Sequence, residues 1–303
     1  MEIRTDLALE AREMIDERRS KRMEESDSLP DGMYVNTRET EYILITDIEI
    51  DSEEASKAIG KKKGRYITLE LKNPLLDTNE LQENTGSSLA EEISQFISNL
   101  GIREPQIMVA GLGNRNITAD SLGPKVADKI VVTRHVKKMK DIEIDERLGN
   151  ICAIAPGVMG ITGIETSEII QGMLKTVKPD ILVVIDALAS RKTSRVNATI
   201  QISDSGIVPG SGVGNHRMEL SKEVLGIPVL AIGVPTVVDA ATLVRDLLGE
   251  EDKMEIKEDF GNMIVTPKNI DIAIERMSDV ISAGINMATH QGFGMHEINE
   301  YLI

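Results

Sequence analysis

The run Ile181-Leu-Val-Val-Ile-Asp186 constrains this chain more than any other feature: five consecutive apolar residues closed by a carboxylate. A strand that is apolar at both parities has both faces buried, the mark of a parallel sheet covered by helices on each side. Further strand-like runs recur at Ile107–Ala110, Ile151–Ala155, Ala198–Ile202 and Val229–Val234, all but Ala198–Ile202 without a charged or amide side chain. Helical patterns fall between and after them, at about 121–133, 165–177, 236–248 and 268–287. Upstream lie a helix over about 79–99 and a charged helix over 7–26, the latter ending in the turn-rich Ser26–Gly32. Two strand-like runs, Tyr42–Ile50 and Tyr66–Leu71, flank Lys61-Lys-Lys-Gly64 and predict an antiparallel pair beside the main sheet. The expected fold class is α/β: a largely parallel sheet flanked by helices on both faces, with antiparallel additions. No interdomain linker breaks the pattern.

Composition narrows the function classes. Aromatic residues make up 2% of the 303 and Trp is absent, so the core must be built from Ile, Val, Leu, Ala and Met. A net charge of −16 repels phosphate backbones and argues against direct nucleic-acid binding. The single cysteine, Cys152, cannot form an intrachain disulfide, which fits a reducing cytoplasmic compartment. No stretch approaches the roughly 18 apolar residues that span a bilayer, and no signal region is visible at the N-terminus. No membrane partner is expected.

Two segments stand out as carriers of chemistry. Ala110-Gly-Leu-Gly-Asn-Arg-Asn-Ile-Thr-Ala-Asp120 starts at a strand end and runs toward a helix. Its Gly111 and Gly113 invite comparison with a dinucleotide-binding loop, but Asn116 stands where the third glycine belongs. The glycines are better read as a tight backbone path presenting Asn114 and Asp120. On the residues alone, Asp120 is equally a helix N-cap or a catalyst. In the second segment, Asp186 sits at the C-terminal end of its apolar strand, where a carboxylate must be paired, hydrogen-bonded or neutralised. Arg191 and Lys192 follow and are expected to supply a countercharge. If the two loops face each other, one aspartate keeps a proton and acts as acid while the other activates water.

Other constellations point elsewhere. Asp204-Ser205-Gly206 has the letters of pepsin-like proteases, but those folds are nearly all-β, and here the triplet leads into a glycine-rich loop, Pro209–Asn215. Cys152 lies in an apolar strand and reads as an inert thiol. His135, His216, His290 and His296 show no paired metal-ligand spacing, so no metal or other cofactor is expected.

At the two aspartate segments the chain resembles the spore germination protease family. The matching stretches are Arg4–Ala11, Gly111–Asn114 with Asp120–Pro124, Ala155–Thr166, Ile185–Ala189, Ser203–Ile207 with Pro209–Asn215, and Thr266–Asp271. The resemblance implies an aspartic-type endopeptidase, with Asp120 and Asp186 as its catalytic pair. It implies degradation of small acid-soluble spore proteins, a homotetramer, and residence in the developing and dormant spore core. The family is distantly similar to hydrogenase-maturation endopeptidases. Two alternatives therefore stay open: a metal-dependent maturation endopeptidase, and a non-catalytic protein-binding module. Asn114, Arg191, Gly212 and Asn215 are the expected substrate-binding or loop-supporting residues.

Family substrates are cut after an acidic residue that another Glu follows, and Thr5-Asp-Leu-Ala-Leu-Glu10 looks like an imitation of such a site. The resemblance thus implies an inactive precursor, cleaved between Asp6 and Leu7. Residues 1–6 are then a propeptide, and 7–303 a single α/β peptidase domain. Mass spectrometry of the purified chain held at mildly acidic pH is expected to find a new N-terminus at Leu7. A chain that never begins there contradicts the expectation.

Overall fold

The computed structural model describes residues 5–21, 29–74, 78–139, 144–210, 218–248, 263–294 and 297. Its strands are β1 (Met33–Glu39), β2 (Ile43–Ile50), β3 (Gly64–Leu71), β4 (Gln106–Gly111), β5 (Asn150–Ile154), β6 (Ile181–Ser190), β7 (Thr199–Ser203), β8 (Val229–Asp239) and β9 (Ile264–Val265). The helices are α1 (Ala8–Lys21), α2 (Glu53–Ile59), α3 (Asn79–Asn99), α4 (Leu122–Asp128), α5 (Arg134–Lys137), α6 (Met159–Thr162), α7 (Thr166–Val177), α8 (Lys222–Leu225), α9 (Ala240–Leu248) and α10 (Ile270–Thr289).

All these strands join one sheet in the order β1-β2-β3-β7-β8-β6-β4-β5, with β9 paired to the end of β8. The core pairs β5–β4, β4–β6 and β6–β8 are parallel. β7 joins β8 antiparallel and carries β3, β2 and β1 outward as an antiparallel wing. The fold class expected from the sequence is therefore present, and the β2–β3 pair is antiparallel as expected. All eleven residues of β8 are buried, which is why its sequence reads as a continuous apolar run.

Helices cover both faces. On one, α3, α4 and α10 pack Leu89, Ile93, Val126, Ile281 and Ile285 against Ile107, Val183 and Ile232. On the other, α7 brings Ile170 to Met108, Leu182 and Val184. Under the wing of that same face, α1 and α2 bury Ala8, Leu9, Ala55 and Ile59 against Ile48, Ile50 and Tyr66. Between these two clusters, the residues of β8 that alternate with Leu230, Ile232 and Val234 are Val229, Ala231 and Gly233. Side-chain volume falls to nothing along that row, where the Leu188 side chain leans over Gly233 and both line a cavity in the second face.

Several boundaries differ from the sequence reading. β6 does not end at Ile185 but continues to Ser190, because β8 keeps pairing with it from Asp186↔Gly233 to Ser190↔Val238. The helix expected from 236 begins only at Ala240, since Thr236–Asp239 belong to β8. The helix expected to reach 133 stops at Asp128. There the buried side chain of Asn286 takes the Lys129 carbonyl and the Val131 amide, bonds that hold the chain off the helical path. β1 and α2 were not foreseen at all.

The turn out of β4 holds the closest backbone approach among the described glycines. A Cβ at Gly111 would meet the Gly123 carbonyl oxygen at 1.9 Å, so strand and helix touch backbone to backbone. Gly111→Ala is expected to destabilise the protein by about 1–3 kcal/mol or more. The measurement is the urea midpoint at unchanged m-value, and an unshifted midpoint contradicts it.

Candidate active site

Asp186 owes its position to where β4 stops. The last β4–β6 pair is Gly111↔Ile185, after which Leu112 still donates its N–H to the Ile185 carbonyl at 2.8 Å. Asp186 is thus the first residue of β6 beyond the edge of β4, in the middle of a ten-residue strand rather than at its end. By alternation its side chain shares a face with Leu182 and Val184, the face that carries the cavity. It is 5% exposed and accepts the Ala187 N–H at 3.0 Å. Burial, reinforced by the carboxylates of Asp120 and Asp6, pushes its pKa up to about 8, against the pull of the Ala187 and Gly210 amides. At neutral pH it mostly holds its proton.

Asp120 closes the loop that leaves β4. It ends a single 3-10 turn, Thr118–Asp120, and α4 starts two residues later at Leu122. The N-cap position of α4 is Ser121, so Asp120 is not that helix's cap. Its carbonyl and Oδ2 instead both take the Asn114 N–H, at 2.9 and 2.8 Å. Asn114 Oδ1 accepts from the Asn116 amide at 3.0 Å, which ties the loop internally. Gly113, at φ +110, lets the chain pass where a Cβ would lie 2.1 Å from the Asp120 carbonyl. The Asp120 charge acts directly on Asp186.

The chain's own N-terminal segment lies along this site. Asp6 donates its N–H to the Ala189 carbonyl at 3.0 Å, and its Oδ2 accepts the Ala189 N–H at 2.8 Å. The Asp6 carbonyl receives Lys61 Nζ at 2.8 Å and Gln201 Nε2 at 3.3 Å. Gln201 Oε1 accepts the Ala8 N–H at 2.7 Å. Leu7 and Ala8 are fully buried. Glu10 is fully buried as well, held by the Arg191 and Lys192 amides at 2.6 and 3.0 Å and by the Thr5 hydroxyl. Beside the segment a cavity of about 270 Å³ is lined by Asp6, Lys61, Tyr66, Gln201, Ser205 and Gly233 among others.

Arg191 and Lys192 are not the countercharge of Asp186. Arg191 pairs with Glu17 at 2.8 Å and Lys192 with Glu13 at 2.8 Å, because α1 presents acidic groups along the side it turns to them. Arg195 joins the same rim, 2.6 Å from Glu13 and 2.8 Å from Glu70. Burial alone would raise Glu13, but Arg195 and Lys192 draw it down to about 2. Arg191 therefore fastens α1 rather than neutralising the buried aspartate.

The remaining candidates separate cleanly. Gly212, Asn215, His216 and His296 lie outside the described residues. Asp204 caps the Arg65 N–H at 2.7 Å, and Ser205 binds the Tyr66 hydroxyl at 2.8 Å, so that triplet builds a turn. The Cys152 thiol faces the Ile107 carbonyl at 3.8 Å with its pKa raised by burial, the reverse of an activated thiolate. His290 bridges the Gly149 amide and the Val131 carbonyl. Among the described residues no group of three or more His, Cys, Asp or Glu could hold a metal ion. Lys61 and Gln201 escaped the sequence reading as site residues, though Gln201 is the one amide inside the run Ala198–Ile202; Glu10 is the downstream glutamate of the substrate-like stretch Thr5–Glu10.

A model of the germination protease family matches residues 8–252. A germination protease of Clostridium acetobutylicum is 44% identical over 99% of this chain and 99% of its own length. One from Bacillus cereus is 40% identical over 98% of this chain and 95% of its own length. Among solved structures, a NiFe hydrogenase maturation protease from Thermococcus kodakarensis aligns with 60% of this chain and 92% of its own, at 19% identity and a TM-score of 0.33.

The state of Asp186 has a consequence for stability. Its carboxyl ionises near 4 when unfolded but only at about 8 when folded, so ionisation favours the unfolded chain across that window. The stability present below pH 4 is lost as pH rises toward 8, at up to about 1.4 kcal/mol per pH unit. Asp186→Asn removes this dependence. Its melting temperature is expected to match the native protein near pH 4 and to exceed it increasingly up to pH 8; parallel profiles contradict the assignment.

Proposed function

The chain belongs to the germination protease family, the peptidases of spore germination, and from that premise we propose that Asp120 and Asp186 carry out its peptide hydrolysis, first on its own N-terminus. The observation that best supports this is a buried carboxyl, Asp186, faced by the charges of both Asp120 and Asp6. Ionised Asp120 takes a proton from water as the water oxygen bonds to the carbonyl carbon. The electron pair of the C=O bond moves onto its oxygen. When the carbonyl re-forms, the C–N bond breaks and the leaving nitrogen takes the proton of Asp186. A proton passing from Asp120 to Asp186 then resets the pair.

On this reading Thr5–Glu10 is a pseudo-substrate already in place. The bond after Asp6 is cut, residues 1–6 leave as a propeptide, and residues 7–303 form the working peptidase domain. Asn114 keeps Asp120 in position, and Arg191 anchors the glutamate downstream of the cut. Small acid-soluble spore proteins are the substrates in trans, and the working assembly is a homotetramer. Both features come from the resemblance to the family.

Asp120→Asn and Asp186→Asn are each expected to slow cleavage of a small acid-soluble spore protein by roughly 100- to 10,000-fold, with the circular dichroism spectrum unchanged. Native-like cleavage by either variant rejects the aspartate pair.

A further inference from the structure

A peptide carbonyl under attack gathers negative charge on its oxygen, and hydrolysis needs fixed donors aimed at that atom. The two aspartates supply none: one is ionised, and the other's proton goes to the leaving nitrogen. The Asp6 carbonyl oxygen nevertheless has two donors, the Lys61 ammonium at 2.8 Å and the Gln201 amide at 3.3 Å. We propose that Lys61 and Gln201 are catalytic residues that bind the oxyanion of the bond being cut, a role that rests on cleavage between Asp6 and Leu7.

Three further features carry the assignment. Gln201 grips both sides of that bond: Nε2 donates to the Asp6 carbonyl before it, and Oε1 accepts the Ala8 N–H after it. Those two partners fix which way round the amide lies.

The sheet also sets the donors opposite the acids. Asp186 pairs with Gly233 in β8, and Gly233 pairs with Gln201 in β7. In-register neighbours share a face, so Asp186 and Gln201 stand two strand spacings apart, roughly 10 Å between Cα atoms. Gly233 between them carries no side chain of its own, and the Leu188 side chain fills the space above it, so the aspartates stand on one flank of Leu188 and the amide and ammonium donors on the other.

Lys61 is built in rather than incidental. Gly60 ends α2 with φ 68, and Ser56 Oγ then holds the Lys61 carbonyl at 2.7 Å. The ammonium's two hydrogen bonds go to backbone carbonyls, Thr5 at 3.3 Å and Asp6. Burial pulls its pKa below the ordinary lysine value, while Asp6 and Glu10 counter that pull. A cation stripped of water gains most when the carbonyl it touches becomes an anion.

The bland alternative is that both side chains merely dock the N-terminus, and kinetics separates the two roles. Native, Lys61→Met, Lys61→Arg and Gln201→Glu chains are purified as full-length precursors. First-order appearance of the Leu7 N-terminus is followed by mass spectrometry. A peptide containing Thr-Asp-Leu-Ala-Leu-Glu is cleaved in trans by each processed enzyme or, where processing fails, by the chain started at Leu7. Lys61→Met and Gln201→Glu are expected to process roughly 100- to 1,000-fold more slowly. In trans kcat should fall with KM little changed, and Lys61→Arg should recover part of the rate. Native rates in both variants, or a raised KM at unchanged kcat, overturn the proposal while leaving the aspartate pair intact if Asp186→Asn is inactive beside them. Hydrogen exchange at the Ala8 amide of Lys61→Met controls for folding. Slow processing with protection retained supports catalysis, and slow processing only where protection is lost means docking. A native chain never cut at Asp6–Leu7 overturns the premise and the proposal together.

Discussion

The structure turns on the pairing of β6 with β8 beyond the point where β4 stops. Up to Ile185 the strand is an ordinary buried member of a parallel sheet, apolar on both faces. One residue later it loses its neighbour on one side and keeps the other, and Asp186 sits at that transition. The pairing holds the carboxyl in a fixed place while its burial keeps the proton on. The same stretch of β6 supplies the Ala189 backbone to Asp6, and the two residues that follow it supply the Arg191 and Lys192 amides to Glu10. A strand that ended at Ile185 would offer none of these contacts.

The second element of the design is a local reversal of charge. The whole chain carries −16, yet the rim around the N-terminal segment holds Lys61, Arg191, Lys192 and Arg195. Against it α1 sets Glu10, Glu13 and Glu17. α1 has little apolar character of its own, and among its described side chains those of Ala8, Leu9, Ala11 and Ile15 reach the core cluster under the wing. Ion pairs and charge-assisted hydrogen bonds to backbone amides therefore do much of the work of holding it. Glu10 is the deepest of these groups, fully buried and bonded to two main-chain N–H groups, and a buried carboxylate is stable only with such partners.

Much of this was legible in the sequence where residues are buried and periodic. The apolar runs of β4, β6, β7 and β8 were readable because helices cover both faces, and α3 because its apolar stripe is long and regular. β1 was not, since only Met33 of its seven residues is buried and its pairing with β2 is set by tertiary contact. α2 left two signals, Ser52 as N-cap and Gly60 as C-cap, but seven residues are too few for a helical stripe to declare itself. Asp186 stood out as a charge in an apolar run. Its neighbour Arg191 misled, because adjacency in sequence says nothing about the acidic helix that arrives from the other end of the chain. Lys61 was unreadable for the same reason: within Lys-Lys-Lys only the fold distinguishes the lysine that turns inward.

The arrangement also bears on how a site filled by its own chain could empty. Before cleavage three carboxyl groups, Asp6, Asp120 and Asp186, crowd one region, and the proton on Asp186 relieves the repulsion. Hydrolysis after Asp6 would turn a neutral carbonyl into a fourth carboxylate and create an ammonium at Leu7 inside a fully buried pocket. Lys61 and Gln201, which suit an oxyanion, would face a full charge set beside the charge of Asp6. The new ammonium would lose the amide geometry that kept Leu7 buried without cost. The buried Leu7 ammonium is thus the poorer occupant of the site, while the new Asp6 carboxylate stays matched to Lys61. The contact that cutting would weaken is therefore the burial of Leu7, not the grip of Lys61 on the Asp6 end.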